Sequence, residues 1–147
     1  MAVSSDQRAD VVVIGGGSAG LCAALAAARM GSEVVLVEMS DSLGGMGARA
    51  FVHTFCGLYL PDVSQPPVVA NAGLPAEIER EMRHRLNLDG PEKMGGVYVL
   101  AQEPSVFDEL AKELVQAEPT MSCLLASACV GVQRGNGGFR VKVSTPD

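Results

Sequence analysis

The stretch Val11–Gly20, VVVIGGGSAG, decides the fold: an unbroken β-branched run meets three adjacent glycines, with a fourth glycine three residues later. Val11 to Ile14 reads as a strand buried on both faces of a parallel sheet. Ser18 to Met30 reads as an alanine-rich helix, with Gly31 placed as its C-terminal cap. Val34 to Val37 is a second buried strand, closed by Glu38. The outcome is one βαβ unit within about thirty residues, with a right-handed crossover expected. The run Val11 to Ala28 carries no charge over eighteen residues, the length at which a membrane helix becomes a candidate. The glycines argue against one, because each weakens a helix by roughly 1 kcal/mol relative to alanine, whereas between a strand and a helix they make a turn.

Gly15-x-Gly17-x-x-Gly20 has the spacing used where a strand turns tightly into a helix whose N-terminus faces a pyrophosphate. Gly15 permits the turn, Gly17 lets the backbone approach the phosphates, and Gly20 allows helix to pack closely on strand, helped by Ala24. The amides of the first helical turn and the helix dipole favour an anion there. Glu38 follows Gly20 by eighteen residues, at the end of the next strand. A carboxylate in that place accepts the ribose hydroxyls of an adenosine and repels a 2′-phosphate, which disfavours NADP. FAD and NAD stay open on the fingerprint alone. The next residues, Leu43-Gly44-Gly45-Met46-Gly47, form a second glycine cluster where a nicotinamide domain would continue into a helix and a third strand, and so suit a longer, extended ligand.

The bulk composition sets outer limits. At 147 residues the default is a single domain with a sizeable core, and 48% hydrophobic residues leave disorder expected only in residues 1–9. A net charge of −6, with eleven dispersed Lys and Arg, offers no basic patch to a nucleic acid. The four cysteines, Cys22, Cys56, Cys123 and Cys129, show no CxxC or His-plus-Cys metal spacing, and the N-terminus lacks a signal pattern. No metal site, no membrane segment and a reduced, cytoplasmic protein are the reading.

Beyond Glu38 the pattern loosens. Ser40 to Gly73 lacks periodicity and is dominated by Gly, Pro and isolated apolar residues, a loop long enough to be functional. Leu74 to Leu86 resumes as a charged amphipathic helix with Pro75 in its first turn, and Asn87 to Glu92 reads as a turn. Met94 to Ala101 suits a short strand, with Gly95-Gly96 as its entry or a bulge. Pro104 to Ala117 is a helix packing through Phe107, Leu110, Leu114 and Val115. Met121 to Val132 reads as one apolar strand, and Phe139 to Ser144 as an alternating one, joined through the hairpin signal Asn136-Gly137.

Several of these stretches resemble the FAD-dependent oxidoreductases of the glutathione-reductase-type fold: DVVVIGGGSAG, VVLVE, LGGMGARAFVHTFCGLY, GLPAEIEREM, and the helix, strand and hairpin from Pro104 to Thr145. Within that superfamily the chain looks most like the group whose second motif reads LGGM followed by GLY. The resemblance implies an α/β, Rossmann-like parallel sheet with a βαβ dinucleotide-binding unit and an antiparallel β-hairpin or meander. It further implies FAD as cofactor, with Gly15, Gly17, Ser18, Ala19 and Gly20 facing the pyrophosphate and Glu38 the adenosine ribose. Gly44, Gly45 and Met46 would lie along the pyrophosphate and ribityl side, and the backbone of Val130 would meet the adenine. The chain departs from the family at Ala48-Arg49, where a Thr or Ser is frequent. It also lacks the later substrate-binding region and the late Gly-Asp motif, so residues 10–147 match the N-terminal part of an FAD-binding domain, to be completed by a missing region or a second chain.

Function then reads as transfer of a hydride or electrons between an organic substrate and bound FAD. Two alternatives stand beside it: a non-catalytic nucleotide-binding or electron-transfer subunit completed by a partner, and an NAD-binding domain. No residue identifies itself as the catalyst. Cys56, in HTFCGLY, has no resolving cysteine at CxxC or CxxxxC spacing and reads as a loop cysteine. His53 reads as a hydrogen-bonded loop histidine rather than an acid or base, and His84 as a solvated helix residue. Cys22 reads as a small buried hydrophobe. On one continuous strand Cys123 and Cys129 would stand about 20 Å apart at ~3.3 Å per residue, too far to share a metal.

Overall fold

A computed structural model describes residues 6–145, which divide into two compact units, 6–43 with 111–145 and 44–110. Of the N-terminal segment expected to be flexible, residues 1–5 lie outside the described residues. Within the rest, the Gln7 side-chain amide donates to Ser122 Oγ at 3.2 Å.

The first unit is built on a parallel sheet. Val11–Ile14 (β1) pairs in parallel with Val34–Val37 (β2), and β2 with Met121–Leu124 (β6 in chain order), giving the order β1-β2-β6. Ser18–Arg29 (α1) is the crossover and packs on β1 and β2. Its buried residues, Leu21, Ala24, Leu25 and Ala28, recur at helical spacing and form the stripe that faces the sheet. Small alanines in that stripe let the helix axis approach the strands. Each fully buried leucine contributes about 1.5–3 kcal/mol of apolar transfer. The C-terminus follows expectation, with Met30 as the cap residue and Gly31 at φ +92° beyond it.

All four residues of β2 are buried, as a central strand requires, whereas β1 alternates, with Ile14 53% exposed. The expectation of a doubly buried β1 fails because, among the described residues, β2 is its one sheet neighbour. An edge strand with a helix on one face leaves alternate side chains uncovered.

The apolar run Met121 to Val132 is two strands, not one. It breaks after Leu124, where Ala126 takes φ +50° and its N–H donates to Ser40 O, and resumes as Ala128–Gly135 (β7). Strand β7 pairs antiparallel with Gly138–Ser144 (β8) through a two-residue turn at Asn136-Gly137, as the sequence predicts. Because the run breaks between β6 and β7, Cys123 and Cys129 do not share a continuous strand and the spacing argument made for them lapses; a bulge follows within β7, between Cys129 and Gly131.

The second unit is organised around an antiparallel sheet of order β3-β5-β4, made of Thr54–Cys56 (β3), Glu92–Met94 (β4) and Val97–Ala101 (β5). Strand β4 falls in the segment expected to be turn and strand entry. Gly95-Gly96 is in fact the two-residue hairpin loop between β4 and β5, with Gly95 at φ +61°. The long irregular segment holds the single turn Met46–Arg49 (α2), strand β3 and an isolated bridge between Tyr59 and Val69. Leu74–Arg85 (α3) has Pro75 in its first turn and buries Ile78, Glu79 and Met82. Pro104–Gln116 (α4) starts in this unit and ends in the first. Its Phe107 meets Phe55 edge-on, with ring centroids 4.9 Å apart and planes at 75°.

Tyr59, Glu79 and Arg83 form a polar cluster in the second unit. Tyr59 Oη donates to Glu79 Oε1 at 2.6 Å, and Arg83 stands 3.5 Å from the same oxygen. Tyr59 is 6% and Glu79 5% exposed, so the carboxylate depends on these partners for its loss of water. Burial first, then the hydrogen bond to Glu79, raise the Tyr59 phenol well above its ordinary value.

Candidate functional site

The turn between β1 and α1 carries the first part of the candidate site. Gly15 sits at φ +102°, a conformation natural to glycine, and its N–H donates to Val37 O at 2.8 Å, which ties the turn to the end of β2. Gly17 is the N-cap of α1 and provides no side-chain cap, and the first turn holds no acidic residue. Gly20 lies against the turn so closely that a Cβ there would stand 1.9 Å from Gly15 O and 3.4 Å from Val13 Cγ1. Substitution would collide with backbone, which has no rotamer to retreat into.

Glu38 is brought to the same turn. Its Oε2 accepts the Gly16 N–H at 2.6 Å, and its Oε1 accepts the Ser40 N–H and the Ser40 hydroxyl, each at 2.8 Å. Its backbone is held equally firmly, N–H to Leu124 O and C=O from Ser127 N–H, each at 2.9 Å. Gly16, Ser40 and Leu43 are members of this arrangement that the fingerprint spacing does not single out. A Cβ on Gly16 would come within 2.6 Å of Leu43 Cδ2 and 3.1 Å of Glu38 Cβ. The readable signal was a glycine in a position the fingerprint leaves free, and a serine two residues after the strand-ending acid.

A helix N-terminus opened by glycines, with glycine as its N-cap residue and flanked by a carboxylate, is a donor set suited to a phosphate beside a sugar diol. The residues present thus fit the ADP half of a dinucleotide. Ser18 and Ala19, in the first turn, are exposed, and Val130 is 56% exposed on β7 beside its bulge.

Gly44, Gly45 and Met46 belong to the other unit. Gly44 (φ +97°) and Gly47 have a packing reason of their own: a Cβ would come within 2.6 Å and 2.9 Å, respectively, of Phe107 Cε1. Gly45, at φ +58° and ψ −123°, takes a conformation reserved for glycine, and Met46 is 72% exposed. Gln102, missed in the sequence, is buried here. Its side-chain amide donates to Gly47 O at 2.9 Å and to Val52 O, and its N–H donates to His53 O, which pins the segment between α2 and β3. His53, Arg49, Phe51, Glu103, Ser105 and Asp108 line a cavity of about 500 Å³ in this unit. Phe51 holds φ +51°, an uncommon conformation for an aromatic residue.

The cysteines offer no clustered chemistry. Cys56 is exposed on β3. Burial pushes the Cys22 thiol up, and burial together with the negative charge of Glu38 does the same for Cys123, partly offset by Lys112. Both are held as thiols, the less reactive form. Among the described residues no group of three or more His, Cys, Asp or Glu is placed to hold a metal, and no helix is long and apolar enough to cross a membrane.

Comparison with known proteins agrees with the fold. The chain is 43% identical over 68 residues to the aerobic glycerol-3-phosphate dehydrogenase of Staphylococcus saprophyticus, covering 46% of this chain and 12% of that protein. It is 35% identical over 162 aligned positions to the tRNA uridine 5-carboxymethylaminomethyl modification enzyme MnmG of Exiguobacterium sibiricum, covering 90% of this chain and 23% of that one. Among solved structures, the flavin-dependent monooxygenase PieE in complex with FAD and substrate superposes with a TM-score of 0.52 at 20% identity, over 96% of this chain and 28% of that one. The last likeness establishes fold alone. The chain spans 12% to 23% of the length of the curated relatives it matches. The family profile described as FAD dependent oxidoreductase matches residues 10–146, and the chain belongs to that family.

Proposed function

We propose that the chain binds FAD, with the pyrophosphate at the turn formed by Gly15, Gly17, Ser18, Ala19 and Gly20 and the adenosine ribose at Glu38. On this reading it takes part in transfer of a hydride or electrons between an organic substrate and the flavin. The observation that carries it is the fixing of Glu38 to Gly16, 2.6 Å away, beside a helix N-terminus whose N-cap residue, Gly17, makes no side-chain cap. Anion and diol recognition then fall within one compact unit. Bound FAD supplies the electron-accepting and electron-donating ring; the protein's part is binding, orientation and electrostatics.

Gly44, Gly45 and Met46 are assigned to the pyrophosphate and ribityl side and the Val130 backbone to the adenine, on the family resemblance. For Gly44 that assignment adds to the packing against Phe107. Catalytic side chains are not assigned: Cys22 and Cys123 are held as thiols, and Cys56 has no cysteine partner.

The test is the visible absorption spectrum of the gently purified protein, followed by heat release and identification of the chromophore. Oxidised-flavin bands and released FAD are expected. A colourless protein that fails to take up added FAD but binds NAD would overturn the reading.

A further inference from the structure

The Glu38 carboxylate is crowded before any ligand reaches it. Three hydrogen bonds are in place: Gly16 N–H on Oε2, and the N–H and hydroxyl of Ser40 on Oε1. A carboxylate offers about four lone-pair sites, so at most one is left. A ribose diol brings two hydroxyl donors. For Glu38 to accept both, one of the present donors must leave.

The two backbone N–H groups are poor candidates, since Gly16 is fixed in the turn between β1 and α1, and Ser40 O is itself held by the Ala126 N–H at 2.7 Å. The Ser40 hydroxyl is different because it rotates. Ser40 Oγ lies 2.8 Å from Glu38 Oε1 and also 2.8 Å from Ser42 O, and it has one proton for these two acceptors. The Ser42 N–H, 3.4 Å from Ser40 Oγ, approaches the same oxygen. The oxygen can therefore stay in place while its proton changes acceptor.

We infer that Ser40 is a positioning residue whose hydroxyl stands in for a ribose hydroxyl on Glu38 Oε1 in the ligand-free chain, and turns to the Ser42 carbonyl when the ribose binds. This rests on the reading of Glu38 as the ribose acceptor. In the ligand-free state the stand-in keeps the carboxylate in one rotamer and hydrogen-bonded. On binding, a charge-assisted bond is exchanged for a neutral one, so the incoming hydroxyl is worth less than it would be against an open oxygen. Ser40 thus sets how strongly the site discriminates a ribose from a deoxyribose.

Calorimetric titration of flavin-free protein with ADP, 2′-deoxy-ADP and 3′-deoxy-ADP tests this, on wild type, Ser40→Ala and Ser40→Thr. With Ser40→Ala the second ribose hydroxyl no longer has to displace the serine hydroxyl from Glu38 Oε1. The ratio of deoxy to ribo Kd should then rise about five-fold for one of the two deoxy ligands, the difference between a charged and a neutral hydrogen bond. Ser40→Thr keeps the hydroxyl and should keep the wild-type ratios. Ratios that are unchanged or fall in Ser40→Ala, with ADP still bound, overturn the stand-in and leave the FAD reading intact, since a residue that only braces the loop would weaken all three ligands alike. Wild-type protein that binds neither ADP nor FAD overturns both.

Discussion

Gly20 and Gly31 lie at opposite ends of α1, and alanine at each separates a demand of the ligand site from a demand of the helix. At Gly31 the residue holds φ +92° with nothing within 4 Å of an added Cβ, so Gly31→Ala introduces left-handed strain and no collision. Its cost should be about 1–2 kcal/mol. At Gly20 an added Cβ would lie 1.9 Å from Gly15 O, where contacts under 3.0 Å are essentially never seen. Helix and turn must therefore separate by more than about 1 Å, at a cost of about 1–3 kcal/mol by the measure of overpacked cores. That separation acts on the amides proposed to face the pyrophosphate. Thermal unfolding should show Gly31→Ala lowering Tm by about 2–4 °C per kcal/mol for a chain of this size. Fluorescence titration of flavin-free protein should give it a wild-type FAD affinity within a factor of about two, whereas Gly20→Ala should weaken FAD at least about ten-fold, or 1.4 kcal/mol. Equal FAD affinity in Gly20→Ala and wild type would refute the assignment of this turn to the ligand. Equal losses in both variants would reduce the effect to general destabilisation.

Tyr59→Phe keeps the ring's packing and removes the hydroxyl donor from buried Glu79, which should cost about 1.5–3 kcal/mol in urea unfolding at neutral pH. Because the Tyr59 phenol is raised in the folded protein, its contribution is complete below the unfolded value of 10.0 and is lost as pH climbs toward the folded one. The stability gap between wild type and Tyr59→Phe should therefore narrow above pH 10, and a constant gap would count against the pairing. Phe107→Ala removes the ring that packs on Gly44, Gly47 and Phe55 and should cost about 3–5 kcal/mol in the same assay. Labelling by a thiol-specific disulfide reagent, mapped by mass spectrometry, should modify exposed Cys56 well before Cys22 and Cys123, whose raised thiols should lag even at mildly alkaline pH. Early loss of Cys123 would contradict its placement on β6.

How much could be read in the sequence followed the range of the interactions involved. The bounds of β1, β2 and the start of α1 are local matters, set by a β-branched run, a glycine turn and an alanine stripe, and the structure has them where the residues place them. The Asn136-Gly137 turn is equally local. Strand β4 was not legible because Glu92–Met94 becomes a strand only through its register with Val97–Val99. The break in the run Met121 to Val132 was hidden for a related reason. Leu125-Ala126-Ser127 has no glycine, proline or asparagine to mark a turn, only a lone serine, and what bends it is a pair of bonds to distant carbonyls, Ala126 N–H to Ser40 O and Ser127 N–H to Glu38 O. Tertiary partners there outweighed local preference.

The same bonds connect fold to site. By holding the backbone on both sides of Met39, the loop after β6 fixes where the Glu38 carboxylate begins, and Gly16 and Ser40 fix where it ends. The fingerprint spacing named the acid and the glycines but not the loop that aims the acid, because the residues that do so, Ala126 and Ser127, act through backbone N–H groups that any side chain would leave in place. The second glycine cluster teaches the converse. Gly44 and Gly47 stand where a cofactor motif is expected, and Phe107, some sixty residues later in the sequence, already requires them to lack a Cβ. A glycine demanded by packing and one demanded by a ligand look alike in a sequence. Enlarging the side chain at 107 back from Ala to Leu and then Phe would distinguish them, since only a packing glycine becomes tolerant of alanine once the ring has gone. Gly47→Ala should therefore cost about 1–3 kcal/mol with Phe107 present and less beside Phe107→Ala, and equal costs in both backgrounds would show that Phe107 is not what excludes the Cβ, leaving the Phe55 ring, 3.1 Å from it, as the limit.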